Sequence, residues 1–247
     1  MSRANVADGI LALARAFQTD PVANYVFRPD VRLPSSLTTF YSLVLRLQCI
    51  DWSLNTVSPD GRGACLWQRD GGAGSPRRAG FTPLAQLMFA PHAPGLVGWS
   101  PRALLRLLRL GEVVDHAHAR ACKGRPHYYL AVLGVDPLMQ GRGYATALVA
   151  PRLAQADREG VLCYLESSKA GNVPMYERWG FQVVAVCGSW EGELSDEGAR
   201  AAARDGSGKG ALVDAAGAPL LWIMTREPRE AAAGSCAPGQ RRGGSPN

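Results

Sequence analysis

The sequence predicts an α/β fold: a central sheet with helices on both faces. Three observations predict it. The runs "HYYLAVLGV" (His127–Val135) and "VLCYLE" (Val161–Glu166) are apolar, aromatic and β-branched, with little charge, as buried strands are. Between them, Gly143 to Asp157 repeats apolar residues at helical spacing, and Gly160 follows as a C-cap. Two more strand-like runs, "FQVVAVCG" and "APLLWIMTREP" (Ala218–Pro228), come after the short helical segment "NVPMYERWG" (Asn172–Gly180).

The N-terminal half is read in the same way. Asn5 to Gln18 has helical periodicity through Val6, Ile10, Leu11, Leu13, Ala14 and Phe17. "DPVANYVFRPD" is a short turn or helix between prolines, and Ser35–Ile50 is a second helix with a serine N-cap. The turn signal "SPDGRG" separates Trp52–Val57 from Ala64–Gln68, which predicts a hairpin. "DGGAGSPRRAG" is a loop. "PRALLRLLRLGEVVDHAHARAC" is helical, with Leu104, Leu105, Leu107 and Leu108 on its apolar side and Arg102, Arg106 and Arg109 sharing another face. That arginine face reads as solvated or as an anion-binding rim. A single domain over residues 1–229 is expected, with an insertion at about 190–216 and a disordered tail at 230–247.

The hydrophobic fraction of 47% over 247 residues suits a globular chain with a real core. The net charge of +6 partly lies in Arg77, Arg78, Arg241 and Arg242. It fits an anionic small molecule as well as nucleic acid, and solubility alone would explain it; no aromatic-interleaved basic strand of an RNA-binding sheet is present. Cys49, Cys65, Cys122, Cys163, Cys187 and Cys236 include no C-x-x-C pair and read as free thiols of a reducing compartment. No signal peptide or membrane span is apparent, so a cytoplasmic protein without membrane partners is expected. His116 and His118 stand i, i+2, which splits them across a helix, so no metal is expected.

The chemistry centres on "GVDPLMQGRGYATALVA" (Gly134–Ala150). Glycines before a helix allow backbone amides to reach an anion, helped by the helix dipole. No G-x-x-x-x-G-K-[ST] string is present, which argues against a Walker A loop. A dinucleotide turn G-x-G-x-x-G is met at Gly141 and Gly143, but Thr146 replaces the third glycine and "DPLMQ" separates the turn from its strand. Glu166, at the end of the next strand, stands where a ribose-binding acid belongs.

Gln140-x-x-Gly143-x-Ala145 resembles the R/Q-x-x-G-x-G/A signature of the Gcn5-related N-acetyltransferases (GNAT). The order strand, helix, strand, and then "NVPMYERWGF" with an Asn and a Tyr before G-F, follows the same family pattern. "DPVANYVFRPD", "YLAVLGVDP", "LESSKAGNVPMYERWGFQVV" and "PLLWIMTREP" look like the subgroup that includes puromycin N-acetyltransferase, from about Ala7 to Pro228. The resemblance implies a mixed, splayed sheet, acetyl-CoA as co-substrate and a primary amine, of a small molecule, as acceptor. It departs at the start, where the family's first strand is short or missing.

The resemblance also implies roles. Gln140, Gly141, Arg142, Gly143, Tyr144 and Ala145 would wrap the diphosphate. Leu133, Gly134 and Val135 would hold the pantetheine, with a bulge easiest at Gly134. Tyr176 would protonate the departing thiolate; a core tyrosine is the plainer reading. Asn172, at i−4 from Tyr176, would touch the pantetheine arm or cap the short helix. Glu166 would deprotonate the amine, or be an exposed strand-end carboxylate. No cysteine is placed as an acyl nucleophile, so direct attack in a ternary complex is expected. A non-catalytic acyl-CoA sensor and a nicotinamide-dependent oxidoreductase are the alternatives.

Overall fold

The computed structural model describes residues 3–27, 37–38, 40–42, 52–71, 101–188 and 218–229. The loop around Arg77 and Arg78, most of Ser35–Ile50, the insertion at 190–216 and the tail at 230–247 lie outside them, as do Cys49 and Cys236.

The strands are β1 (Thr56–Val57), β2 (Gly63–Asp70), β3 (His127–Val135), β4 (Leu162–Ser167), β5 (Gln182–Cys187) and β6 (Leu221–Arg226). The helices are α1 (Arg3–Ala16), α2 (Pro21–Phe27), α3 (Pro101–Cys122), α4 (Tyr144–Glu159) and α5 (Val173–Arg178). The sheet runs β1-β2-β3-β4-β6-β5; only the β3–β4 pair is parallel. That one parallel pair is joined by α4, the crossover a parallel connection requires.

Alternation along each strand divides the core in two. Ala64, Leu66, Leu162, Tyr164, Leu221 and Ile223 pack with α1, α2 and α3. Cys65, Trp67, Cys163, Leu165, Trp222 and Met224 pack with α4 and α5. Helices therefore cover both faces, as expected. On α3 the buried side differs from the expected one. Ala103, Leu107, Leu110 and Val114 face the sheet, while Leu105 and Leu108 are 50% and 37% exposed. A run of leucines does not say which of them meets the sheet; the tilt of the helix does.

The arginine face of α3 is a solvated one. Arg102 and Arg109 are exposed. Arg106 donates to the Tyr25 carbonyl at 3.1 Å and lies over the Tyr25 ring. Elsewhere Arg226, 2% exposed, makes a bidentate pair with Asp157 (2.8 and 2.7 Å) and donates to the Trp179 carbonyl. This ties the end of α4 to β6 and to the turn after α5. Among the described residues no helix is long and apolar enough to cross a membrane.

Candidate active site

The site begins where β3 leaves its neighbour. β3 pairs with β4 only at His127–Leu162, Tyr128–Cys163 and Tyr129–Tyr164. Beyond Tyr129 the two strands diverge, and among the described residues the β4-facing edge of β3 has no ladder partner. This is the splay the resemblance implied. The bulge is placed differently from the expectation. Leu66 opposes Val132 and Trp67 opposes Leu130, so Ala131 is the extra residue and Gly134 pairs regularly with Ala64. The bulge switches the phase of the strand. Tyr128 and Leu130 face α4, and so do Leu133 and Val135 beyond it.

Gly134 has another reason to be glycine. A β-carbon there would meet Leu13, Phe17 and Ala16 at 2.7 to 3.2 Å. Its absence lets α1 lie directly on β3.

Asp136 ends the strand and caps a 3-10 turn, Pro137–Met139. It is 2% exposed and accepts from the Leu138 amide (3.0 Å), Arg15 (3.1 Å) and Arg62 (3.0 Å). Burial alone would raise its pKa, but these donors outweigh it and hold the carboxyl below its usual value. The "DPLMQ" spacer is therefore a built turn, and Gln140 closes it by donating to the Val135 carbonyl (3.1 Å).

Gly141 and Gly143 follow with φ of +75° and +83°, which only glycine adopts without strain. Gly143 is the N-cap of α4 and supplies no side-chain cap. The first amides of α4 thus receive no side-chain cap from the N-cap residue and stand at the positive end of the helix dipole. Arg142 is exposed, Ala145 partly buried, and Tyr144 donates its hydroxyl to Asp60 at 2.5 Å, pinning the turn to the β1–β2 loop.

The diverging strands and the turn border one cleft of about 1120 Å³. All the expected site residues line it except Arg142, which lies on the exposed turn beside it. Tyr176 is 7% exposed, between Trp179 and Phe181. Its hydroxyl makes no hydrogen bond to a described residue, and burial pushes its pKa well up, so it stays protonated. Asn172 precedes α5 but makes no side-chain cap hydrogen bond, so the capping role does not hold. Its amide remains available to the cleft.

Glu166 follows Leu162 and Tyr164 onto the α3 side of β4. Burial raises its carboxyl to about 7, and the nearby Tyr164 and Tyr129 hydroxyls offset this only in part. Its Oε1 has no hydrogen-bond partner among the described residues. A half-buried carboxyl at that value is no ordinary strand-end group.

Three lining residues were not anticipated. Asp20, 4% exposed, caps α2 through the Val22 (2.9 Å) and Ala23 (3.0 Å) amides, and its other oxygen accepts from Ser168. Burial raises its pKa. Lys169 stands next to Ser168 and reaches Thr19 at 3.4 Å. The Asp20-Pro21 dipeptide was a readable cap signal; nothing in it said that the cap faces a cleft. Among the described residues neither the Trp52–Gln68 hairpin nor the Arg102–Arg109 face lines the cleft.

Comparison with known proteins accords with this geometry. Residues 78–181 match the model of the Acetyltransferase (GNAT) family. An uncharacterized N-acetyltransferase of Schizosaccharomyces pombe is 44% identical over 54 residues, 22% of each chain, so the match spans about a fifth of that relative. A mosquito arylalkylamine N-acetyltransferase-like 5b has a TM-score of 0.56 at 10% identity, over 92% of this chain and 97% of its own. Arylalkylamine N-acetyltransferase 2 of Aedes aegypti has a TM-score of 0.53 at 15% identity, over 93% and 97%. The mixed six-stranded sheet, opened between β3 and β4 above a glycine turn, has the fold of those acetyltransferase structures, and the GNAT family model matches residues 78–181 of this chain.

Proposed function

We propose that this chain is an acetyl-CoA-dependent N-acetyltransferase acting on a primary amine of a small molecule by direct attack in a ternary complex. The observation that carries the proposal is the cleft itself. One unpaired strand edge runs into an uncapped helix N-terminus, with a half-buried carboxyl of raised pKa and a protonated phenol on its walls. The residues suit the co-substrate: outward amides and open glycines for a diphosphate, free strand amides for pantetheine, and an uncommitted Asn172 amide.

Acetyl-CoA, when bound, supplies an activated acetyl thioester. Gln140, Gly141, Arg142, Gly143, Tyr144 and Ala145 hold the diphosphate end. Leu133, Gly134 and Val135 orient the arm and aim backbone donors at the thioester oxygen. Glu166 takes one proton from the acceptor nitrogen, and Tyr176 Oη gives one to the departing sulfur; both exchange with water afterwards. The described thiols do not compete as nucleophiles. Cys65 and Cys163 are buried, and burial raises both, Cys163 to about 12.

Asp20 and Glu166 make the acceptor wall acidic, which suits an amine that arrives protonated and loses that first proton to water before it attacks. Similar folds include arylalkylamine and agmatine N-acetyltransferases, which supports a small cationic acceptor. Isothermal titration with acetyl-CoA, then an amine panel read by thiol release, tests the proposal. Absence of acetyl-CoA binding sinks it. Binding without thiol release on any amine leaves a sensor instead.

A further inference from the structure

At the far end of β3 from the cleft, three side chains with metal-ligand chemistry converge. His118 and Cys122 stand at i, i+4 on one face of α3. Lys123 and Gly124, both with positive φ, turn the chain back so that His127, the first residue of β3, faces them. The three are 6%, 3% and 4% exposed. Their ligand atoms all lie within 4.8 Å of one another, and the two imidazole Nε2 atoms are 2.5 Å apart.

The tautomer of His127 follows from its other contact. Its Nδ1 is 2.7 Å from the Arg125 carbonyl, which can only accept, so Nδ1 carries the hydrogen. The Nε2 lone pair then points into the cluster. A ring nitrogen held by a backbone carbonyl, with the opposite nitrogen free, is the usual support of a metal-bound histidine. His118 is fixed as well, stacked on Tyr164 with centroids 4.4 Å apart. Asp70 opposes His127 across the β2–β3 ladder, so its carboxylate stands on the same face and can balance cation charge.

We infer that His118, Cys122 and His127 form a zinc site that staples the end of α3 to the start of β3. Two nitrogens and one sulfur suit Zn²⁺, with a water in the fourth position. Tetrahedral Zn–N bonds of about 2.0 Å require the two nitrogens to stand about 3.3 Å apart. The rings therefore separate by less than about 1 Å on binding, while the thiol gives its proton to water. Seven residues of strand, about 20 Å, separate His127 from Gly134. The metal acts first on stability, and the Tyr164 ring, stacked on His118, links it to Glu166 on the cleft wall.

The test is Co²⁺ titration of the full-length chain, followed by its visible spectrum. One Co²⁺ per chain is expected, with the intense d–d bands of a tetrahedral site and a thiolate charge-transfer band. Zn²⁺ should bleach that spectrum and raise Tm. Cys122→Ala should lose the charge-transfer band and the Zn²⁺-dependent rise in Tm, with its circular dichroism unchanged. If that variant does not fold, His118→Gln serves in its place and should lose the d–d bands. A Cys49→Ser/Cys236→Ser double variant should keep the whole spectrum. No tetrahedral spectrum in the native chain, a spectrum that survives Cys122→Ala, or one lost in the double variant would each overturn the site.

Discussion

Gly134 lies so close beneath Leu13 that a β-carbon at position 134 would stand 2.7 Å from Leu13 Cδ2. Leu13 is fully buried in the core between α1 and the sheet. Gly134→Ala should therefore lift α1 from β3 and cost about 1–3 kcal/mol, as overpacking does. Urea denaturation measures it. The companion Leu13→Ala removes the obstacle, so the double variant should be less destabilised than the sum of the singles. Additive losses would mean that the glycine serves the backbone of β3 and not the approach of the helix.

Glu166 governs the expected pH dependence. Its folded pKa of about 7 lies above the ordinary carboxyl value because burial disfavours the charge. As a base it works only when ionised, so kcat/KM should rise with pH through about 7. Stability has the opposite sign. The fold favours the neutral acid, so this contribution is fully present below the unfolded value near 4.5 and is lost as pH rises through about 7. Glu166→Gln should lower turnover by roughly 10²–10⁴-fold and make the chain more stable than the native one at pH 8. A variant that keeps the native rising limb would assign the base elsewhere, with Asp20 the next group to test.

The contrast between what was readable and what was not follows the range of the interactions. β3, α4 and β4 were placed to within two residues, because a change of hydrophobic period and the glycines at 143 and 160 are local signals. The bulge at Ala131 was missed, since only its register with β2 creates it and alanine carries no mark of it. The pairing of His118 with His127 was hidden for a similar reason. Spacing along one helix split His116 from His118, while the partner came from the next element. Asp20 was legible as a cap; its place on the cleft depends on Ser168, 148 residues away.

Tyr176 should separate chemistry from binding. Its hydroxyl makes no hydrogen bond to a described residue, so Tyr176→Phe removes a proton donor without orphaning a partner. Turnover should fall by about 10²-fold or more, while acetyl-CoA affinity by titration and Tm stay close to native. An unaltered kcat would leave Tyr176 as a core residue that happens to border the cleft.

Gly143 tests the diphosphate turn. Nothing lies within 4 Å of a β-carbon built there, so the cost of Gly143→Ala is conformational and not steric. At φ +83° an alanine costs about 1–2 kcal/mol. The turn should relax toward negative φ and swing the first amides of α4 away from the cleft. Acetyl-CoA affinity should drop about tenfold, and the dephospho and pantetheine fragments separate the causes. Affinity for a fragment lacking the diphosphate should hardly change. An equal loss for both would mean that the substitution disturbs the splayed edge of β3, and the diphosphate would have to be placed elsewhere on the cleft.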